Sequence, residues 1–544
     1  MGLALGEGAA RRPPTAIGAG VPNRSQERVS AVSGASEPLP KRNALIATWL
    51  IIFFAAAILY SLTAQRNIGW QDTGWYQMRS IDGNVTTGMG LAVDHPLYIV
   101  IGHLLSLLGP QRLPLLLNLW SGLAMAAALA NLGTVLFMIT KRWTTVAVVA
   151  VLATCHTIWW LSTVAEVYAP VVAGFTVELL VLYLLLHDPR GRYVAALAFV
   201  NGVGLCFHDL ALLPLPVYVL VTAALVRQRR LPPWTVAAFA GAWTLGAGYF
   251  LILIVRAAIH SGSLLSAVSS ALFAGRWSPL VLGTARPDRG LLVANLGLIG
   301  MNFANVLLPL AVLGWLRFRS TLGGLGGAAY GLITFIHVLF VSRYFVADQF
   351  TFMGPSLVMI AFAAGIGFVT LASRSHSWNR AMIALCCASA ILQPLIIAAS
   401  PAIASRAGVS IERPRPLKYR DEARYWLIPW KANEDSAFRW AREALARASQ
   451  ERGIIIADAT TMSPLLFVQR YYGVGRSATV LSPGCGLPNF HTDVDAFREA
   501  VGDRPLFVLS NSSEYVRSAA AELQPVAEVG ENVDGLFYRL RWRP

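Results

Sequence analysis

Long apolar segments separated by short loops run through most of this chain and constrain its fold more than any other feature. They lie near residues 44–64, 113–140, 144–161, 165–187, 193–209, 210–226, 234–257, 291–315, 324–342, 353–373 and 380–400. At about 1.5 Å per helical residue, most can cross a hydrocarbon core of roughly 30 Å. Of the 544 residues, 55% are hydrophobic and only 13% are charged, whereas soluble domains carry about 25% charged residues. The sequence therefore predicts a polytopic α-helical membrane protein, and it excludes a disulfide-rich secreted scaffold or a disordered chain.

The basic excess of the chain follows membrane topology rather than nucleic-acid binding. The net charge is +15, but the cations sit in short loops between apolar segments. These loops contain Lys141/Arg142, Arg190/Arg192, Arg227/Arg229/Arg230, Arg317/Arg319 and Arg374/Arg380. If residues 95–109 form an interfacial helix, all of these loops share the side of the basic N-terminal tail, as the positive-inside rule favours. We therefore expect about eleven transmembrane helices, an extracytoplasmic C-terminus and no nucleic-acid partner.

Composition divides the chain into three regions. Residues 1–43 are rich in Gly, Ala, Pro, Ser and Arg and predict a disordered cytoplasmic tail. Residues 44–400 form the transmembrane module, and residues 401–544 predict an extracytoplasmic α/β domain in which β-type runs alternate with helical stretches. The β-type runs are 453–457, 477–481, 505–509 and 535–540. Five scattered cysteines indicate no disulfide framework or metal site. From the apolar segments, we expect an integral protein of a bacterial inner membrane.

In this topology the carboxylates gather at one membrane face. Those at or near the outer face are Asp72, Asp82, Asp94, Glu166, Asp209, Asp288 and Asp348, whereas Asp188 is cytoplasmic and Glu178 falls within a span. Such a group predicts a site at the outer face, although outer loops must be polar in any case. The tryptophans at positions 70, 75, 159 and 160 are expected in the interfacial aromatic belt rather than in a sugar site.

Several short motifs occur in a recognisable order. They are Trp-Gln-Asp-Thr-Gly-Trp-Tyr at 70–76, Asp-His-Pro-Leu-Tyr at 94–98, Asn-Leu-Trp-Ser at 118–121, Ala-Glu-Val-Tyr-Ala at 165–169, Gly-Leu-Cys-Phe-His-Asp at 204–209, Arg-Tyr at 343–344 and Asp-Gln at 348–349. Over residues 45–370 the chain resembles the GT-C class of membrane glycosyltransferases. The closer resemblance is to the domain-of-unknown-function branch related to a vertebrate transmembrane protein O-mannosyltransferase.

The resemblance implies a reaction and a donor. A sugar, mannose by resemblance, would move with inversion from a polyprenyl-phosphate donor to a hydroxyl of a protein, lipid or glycan acceptor. Such a transfer needs a base for the acceptor proton and donors of positive charge or N–H groups at the leaving phosphate. By its motif position, Asp72 is the candidate catalytic base. The alternative is a solvated loop carboxylate that caps a juxtamembrane helix.

The remaining candidates would bind substrate. Arg343, at the outer end of a span, suits a phosphate, or it snorkels to the interface. Glu166 accepts hydrogen bonds from sugar hydroxyls or orients the acceptor, unless it only satisfies a neighbouring helix.

Two polar pairs and one further carboxylate complete the substrate-binding candidates. His208 and Asp209 interrupt an apolar stretch and mark either a functional pair or a tight turn between two spans. His95, after Asp94, either binds substrate or only helps to start the interfacial helix. Asp348 is a further candidate on the last outer loop.

We expect no cofactor and no bound metal, although Asp72 with Asp82 or Asp94 offers oxygen ligands for a divalent ion. Two other function classes stay open from the sequence. A transporter or lipid flippase would place ionisable groups at the membrane midplane, and Glu178 and the pair His208-Asp209 are the residues that favour this class. A non-catalytic assembly protein would use the C-terminal region to bind partners.

Overall fold

The computed structural model describes residues 39–274, 289–344, 346, 348–408, 415–482, 485–512, 515–516 and 520–543. The predicted tail therefore lies almost wholly outside the described residues, as does Asp288. Within the described part, eight helices are long and apolar enough to cross a membrane. They are Arg42–Thr63, Pro110–Thr140, Tyr168–His187, Asp209–Arg227, Trp234–Ser261, Leu307–Arg343, Gln349–Ala372 and His376–Arg406, some of which include a short 3₁₀ turn at the start.

The remaining helices are shorter and connect or flank these spans. They are Gln71–Asp82, Pro96–Ser106, Val146–Ala153, His156–Leu161, Gly191–Phe207, Leu264–Phe273, Arg289–Phe303, Glu422–Leu427, Ser436–Gln450, Met462–Tyr472 and Val494–Val501. The helix Pro96–Ser106 lies inside the segment predicted to be interfacial. Its 11 residues extend for about 16 Å, which is too short to cross the hydrocarbon core.

Two predicted spans are interrupted in the structure. The sequence predicted one continuous helix over 291–315, and this is wrong. One helix ends at Phe303 and the next begins at Leu307. Asn305 at this break satisfies freed backbone groups: its side-chain N–H donates to the carbonyl of Asn302 at 2.8 Å, and its side-chain oxygen accepts from the backbone N–H of Leu307 at 2.9 Å. The predicted span 144–161 is likewise broken at Thr154 and Cys155. The count of eleven spans stays a prediction.

A tight turn at Gly323 divides the segment Leu307–Arg343 into two helices. Gly323 has φ 75° and ψ 173°, a conformation that glycine adopts without steric cost. The first of the two helices packs closely on Gly354–Ala372, because Gly314 and Gly367 face each other's backbones. A Cβ on Gly314 would lie 1.7 Å from the carbonyl oxygen of Ala363.

The described residues after 415 form a mixed α/β layer. Its five-stranded sheet has the order β2-β1-β3-β5-β4. The strands are β1 (Ile454–Ile456), β2 (Thr479–Leu481), β3 (Leu506–Val508), β4 (Ala527–Val533) and β5 (Phe537–Trp542). The first three are parallel, whereas β5 pairs antiparallel with β3 and β4. Strands form in all four predicted runs. The last apolar helix continues to Arg406, and the boundary at residue 401 stays a prediction.

The helix Gln71–Asp82 lies between the membrane helices and the α/β layer. Tyr76 belongs to the apolar core of the membrane helices, whereas Trp70 and Met78 belong to the core of the α/β layer. The α/β layer and the membrane helices are therefore packed against each other through this helix.

The belt placement expected for three of the four tryptophans is wrong. Trp70 is fully buried, and Trp159 and Trp160 pack against Trp430 and Trp426 of the C-terminal region. These aromatic contacts join the helix His156–Leu161 to the segment that leads into the α/β layer.

Candidate active site

Asp72 lies in the first turn of the helix Gln71–Asp82. The chain enters this helix through Trp70 in an extended conformation and Gln71 at a φ of 52°. A left-handed conformation is uncommon for a residue with a side chain and is held in place by its surroundings. A carboxylate in the first turn also interacts favourably with the helix dipole. The helix-terminal location considered for Asp72 is thus observed, and it does not exclude a chemical role.

The environment of Asp72 is acidic and crowded, although its side chain is exposed to solvent. The surrounding protein displaces water from around the carboxyl, and the negative charge of Asp348 adds to this effect, so that the pKa of Asp72 rises from 3.8 to about 6. A carboxyl with this pKa is mostly ionised at neutral pH, yet is a stronger base than an ordinary aspartate.

Glu166 lies close to Asp72 but is buried, with an exposed fraction of 5%. Burial raises its pKa well above the ordinary value, with further contributions from Asp72 and Asp348, and a hydrogen bond from Thr73 opposes the shift. The span that follows begins at Tyr168, so Glu166 occupies the loop before it. The structure therefore brings three of the predicted residues into one group of interacting carboxyls, in which Glu166 is biased toward the neutral acid.

His95 and His208 stack beside this group. Nδ1 of His95 is 2.9 Å from the carbonyl oxygen of Phe207, which can only accept, so Nδ1 carries a proton. Burial and the neighbouring His208 hold the pKa of His95 well below its ordinary value, which leaves Nε2 unprotonated. Nδ1 of His208 accepts from the backbone N–H of Leu210 at 3.0 Å, so His208 is neutral and carries its proton on Nε2.

Aromatic side chains link the two histidines to the carboxylates. Tyr76, one turn after Asp72, contacts the His95 ring at a centroid distance of 5.7 Å. Tyr168, two residues after Glu166, contacts the His208 ring at 5.1 Å. The tyrosines at these positions were part of the sequence motifs, but no role could be predicted for them. Their rings pack against the two histidine rings and help to keep the histidines close to the carboxyl groups.

Asp209 and Asp348 both lie near Tyr344. Burial first, and then the negative charges of Asp348 and Asp209, raise the pKa of Tyr344 to about 12. Asp209 begins the 3₁₀ turn Asp209–Leu212, so the turn considered for this pair is observed. Arg343 is the last residue of its helix and precedes Tyr344, whose ring contacts Phe352 at 4.8 Å. Phosphate binding by Arg343 stays a prediction.

Two other carboxylates that the sequence placed at the outer face have structural partners. Asp94 is fully buried and forms an ion pair with Arg79 at 3.6 Å. Asp82 forms an ion pair with Arg470 of the α/β layer at 2.5 Å. Both carboxylates considered as metal-binding partners of Asp72 are thus engaged by arginines. Among the described residues, no cluster of three or more His, Cys, Asp or Glu side chains is arranged to hold a metal ion.

Glu178 is buried in the span Tyr168–His187, where it faces the helix Gly191–Phe207 and the span Asp209–Arg227. Its carboxylate accepts hydrogen bonds from the hydroxyl of Tyr218 at 2.7 Å and from the side chain of Asn201 at 3.2 Å. Asn201 also donates to the carbonyl of Ala211 at 2.7 Å. This network ties the turn after His208 to the span Tyr168–His187. It gives Glu178 a structural role that no sequence motif indicated.

Comparison with known proteins places this geometry in a known fold. The family model described as "Protein O-mannosyl-transferase TMEM260 N-terminal domain" matches residues 85–231. That stretch contains His95, Glu166, His208 and Asp209, whereas Asp72 and Arg343 lie outside it. No curated protein sequence matches the chain.

The match to solved structures extends over nearly the whole chain. The crystal structure of ArnT from Cupriavidus metallidurans bound to undecaprenyl phosphate has a TM-score of 0.54 and 14% identity, and the alignment covers 90% of this chain and 97% of ArnT. Its apo structure has a TM-score of 0.50 and 12% identity, with coverage of 91% and 98%. The chain has a GT-C fold.

The two comparisons support the membrane glycosyltransferase class that the motifs predicted. They agree with an integral membrane protein built from apolar helices. Because the identity to ArnT is low, the GT-C likeness establishes the fold, and the substrates follow only as a proposal.

Proposed function

We propose that this GT-C protein transfers a sugar from a polyprenyl-phosphate donor to a hydroxyl acceptor at the outer membrane face, with Asp72 as the catalytic base. The observation that carries this proposal is the grouping of Asp72, Glu166 and Asp348 within a fold shared with ArnT. ArnT was solved with undecaprenyl phosphate, which supports a polyprenyl phosphate as the donor carrier. Mannose is proposed from the family description alone.

The chemistry needs one base and a stabilised leaving group. Asp72 accepts the proton of the acceptor hydroxyl while the oxygen of that hydroxyl forms a bond to the anomeric carbon. The bond from that carbon to the phosphate oxygen breaks, and its electron pair leaves with the polyprenyl phosphate. Direct displacement inverts the anomeric centre. A carboxylate with a pKa near 6 that solvent can reach is suited to this proton transfer.

Two groups are suited to the departing phosphate. The guanidinium of Arg343 can donate two parallel hydrogen bonds to phosphate oxygens. The Nε2–H of His208 is a neutral donor whose orientation is fixed by the hydrogen bond at Nδ1. Glu166, as a neutral acid, can donate to a sugar hydroxyl. Asp209, Asp348 and the unprotonated Nε2 of His95 are acceptors for sugar or acceptor hydroxyls.

Sugar transfer in membranes tests the proposal. Membranes containing the wild type or Asp72→Asn are supplied with labelled polyprenyl-phosphate sugars, and label is followed into protein, glycan and lipid fractions. Transfer by the wild type, with a loss of about 10²-fold or more in Asp72→Asn at equal folded abundance, is expected for a general base. Equal transfer by both would keep the enzyme class and remove Asp72 as the base.

A matched variant separates phosphate binding from base catalysis. Arg343→Gln is expected to raise the KM for the donor, because it removes a cation from the phosphate. Arg319→Gln, at an exposed helical residue near the Gly323 turn on the side predicted to be cytoplasmic, is the control and should leave the KM unchanged. A label that changes leaflet without transfer in the wild type would instead support the transporter or flippase alternative.

A further inference from the structure

We propose that the C-terminal α/β layer positions the catalytic base, through a clamp on Trp70 and Gln71 formed by Ser436 and Thr460. This inference rests on the proposed function, because the group being positioned is Asp72. It assigns a role in the reaction to residues far from Asp72 in the sequence.

The first half of the clamp is a buried hydrogen bond. The indole N–H of Trp70 donates to the hydroxyl oxygen of Ser436 at 2.8 Å. The Ser436 hydroxyl donates in turn to the carboxylate of Glu434, so its oxygen is oriented to accept. The Trp70 ring also contacts the ring of Trp440 at 5.5 Å. Because Trp70 is fully buried, its N–H cannot exchange this partner for water without opening the interface.

The second half of the clamp fixes the backbone. The N–H of Gln71 donates to the carbonyl oxygen of Thr460 at 3.3 Å, and the side chain of Gln71 accepts from Arg420 at 3.5 Å. Gln71 is the residue with a φ of 52°. A strained residue keeps such a conformation only where its surroundings impose it. The α/β layer supplies these contacts immediately before Asp72.

The position of the clamp determines what it acts on. Trp70 and Gln71 set the start of the helix, and Asp72 is the next residue. A displacement of about 1 Å at a reacting group can cost 10²-fold in rate. The ion pair between Arg470 and Asp82 holds the far end of the same helix. Because Asp82 is ten residues after Asp72, this ion pair has less effect on the position of the Asp72 carboxylate. The clamp thus sets the position of the carboxylate without touching substrate, which makes Ser436 a positioning residue.

The test compares two Ser→Ala variants of one helix in the full-length protein. Ser436→Ala removes the clamp hydroxyl, whereas Ser449→Ala removes a hydroxyl at the other end of Ser436–Gln450, about 20 Å along the axis. We expect Ser436→Ala to lower kcat by about tenfold to 10²-fold with the donor KM unchanged. Ser449→Ala should resemble the wild type, and Ser436→Thr, which keeps the hydroxyl, should restore kcat.

Hydrogen exchange gives a readout that does not depend on activity. In Ser436→Ala the peptide covering residues 69–80 should exchange faster, while peptides from the spans stay protected. If Ser436→Ala fails to fold, Trp70→Phe, which removes the N–H and keeps an aromatic ring, takes its place. Unchanged exchange in residues 69–80, or faster exchange with an unchanged kcat, would overturn the clamp. If the wild type transfers no sugar, the proposed function is wrong, and exchange alone then decides whether the α/β layer holds this helix.

Discussion

The imidazole rings of His95 and His208 stack with their centroids 5.0 Å apart and their planes 18° apart. The two residues are 113 positions apart in the chain, and each ring is oriented by a backbone hydrogen bond at Nδ1. The bonds differ in direction, so the Nε2 atoms of the two rings differ in chemistry. His95 presents an acceptor there, and His208 presents a donor.

This difference predicts unequal losses of activity for two substitutions of His208. Asn can replace Nδ1 as the acceptor for the N–H of Leu210 but cannot replace Nε2–H, whereas Gln can supply a donor near Nε2. We expect His208→Asn to fold normally and to lose up to about 10²-fold in kcat, as for removal of a donor at a developing negative charge. His208→Gln should retain more activity. Steady-state kinetics on both variants check this, and a greater loss in His208→Gln would show that capping the turn is what matters.

The raised pKa of Asp72 predicts the pH dependence of transfer. A base acts in its ionised form, so kcat/KM should fall as the pH decreases through about 6. An ordinary aspartate would produce this fall near pH 4. A pH–rate profile from pH 4.5 to 8 on the wild type measures the midpoint. A flat profile down to pH 5 would contradict the assignment of Asp72 as a base with a raised pKa.

The negative charge of Asp348 should affect the midpoint of the pH–rate profile. Its negative charge contributes to the raised pKa of Asp72, so Asp348→Asn removes a repulsion that disfavours the ionised base. The acid limb of the pH–rate profile should therefore move to lower pH. Asp188→Asn, at an exposed loop residue predicted to be cytoplasmic, is the charge-matched control and should leave the limb in place. A shift to higher pH in Asp348→Asn would mean that the two carboxyls do not interact as described.

The sequence predicted most elements that long apolar runs determine. The span 113–140 and the helix Leu113–Thr140 have the same bounds, because uninterrupted hydrophobicity ends at Arg112 and Lys141. The predictions failed at polar breaks inside apolar runs. Asn302, Asn305 and Cys155 satisfy freed backbone groups through side-chain contacts, and such contacts do not alter the mean hydropathy that defines a span.

The sequence predicted which residues belong to the candidate site but not how the fold brings them together. Asp72, Glu166 and Asp348 were selected from motifs, and their mutual effects on pKa show that they share one environment. The clamp on Trp70 was not predictable, because Ser436 is 366 residues away and lies in a region with no recognisable motif. Burial of Trp70 likewise depends on how the α/β layer docks, which local sequence does not encode.

Close packing of two spans predicts the sensitivity of Gly314. A Cβ at this position would lie 1.7 Å from the Ala363 carbonyl oxygen, and neither backbone can move without separating the helices. Gly314→Ala should therefore lower the free energy of unfolding by about 1–3 kcal/mol, which is the range typical of overpacking. Gly331→Ala is the control, because a Cβ there has nothing within 4 Å. Thermal unfolding in detergent compares them, and equal midpoints would contradict the close contact.

The buried ion pair of Arg79 and Asp94 predicts a large effect on stability that neither residue's motif would suggest. Both side chains are almost fully buried, at 5% and 0% exposed. Arg79 also donates to the carbonyls of Asn84, Val85 and Asp94. Replacing the arginine leaves a buried carboxylate without its counter-ion, and breaking such a pair costs about 3–5 kcal/mol. Arg79→Met should therefore unfold at a much lower temperature than the wild type.

A double-mutant cycle distinguishes the ion pair from the carbonyl contacts. Asp94→Asn keeps the oxygen that accepts from the N–H and hydroxyl of Thr87 at 2.8 and 2.7 Å but removes the charge. If the pair dominates, Arg79→Met combined with Asp94→Asn should be less destabilised than the sum of the two single variants, because the second change removes the unpaired charge. Strict additivity would assign the stabilisation by Arg79 to its bonds with the loop carbonyls. The segment between Asp82 and His95 would then depend on the arginine as a hydrogen-bond donor alone, and Arg79→Lys, with a single ammonium in place of the planar guanidinium, should be nearly as destabilised as Arg79→Met.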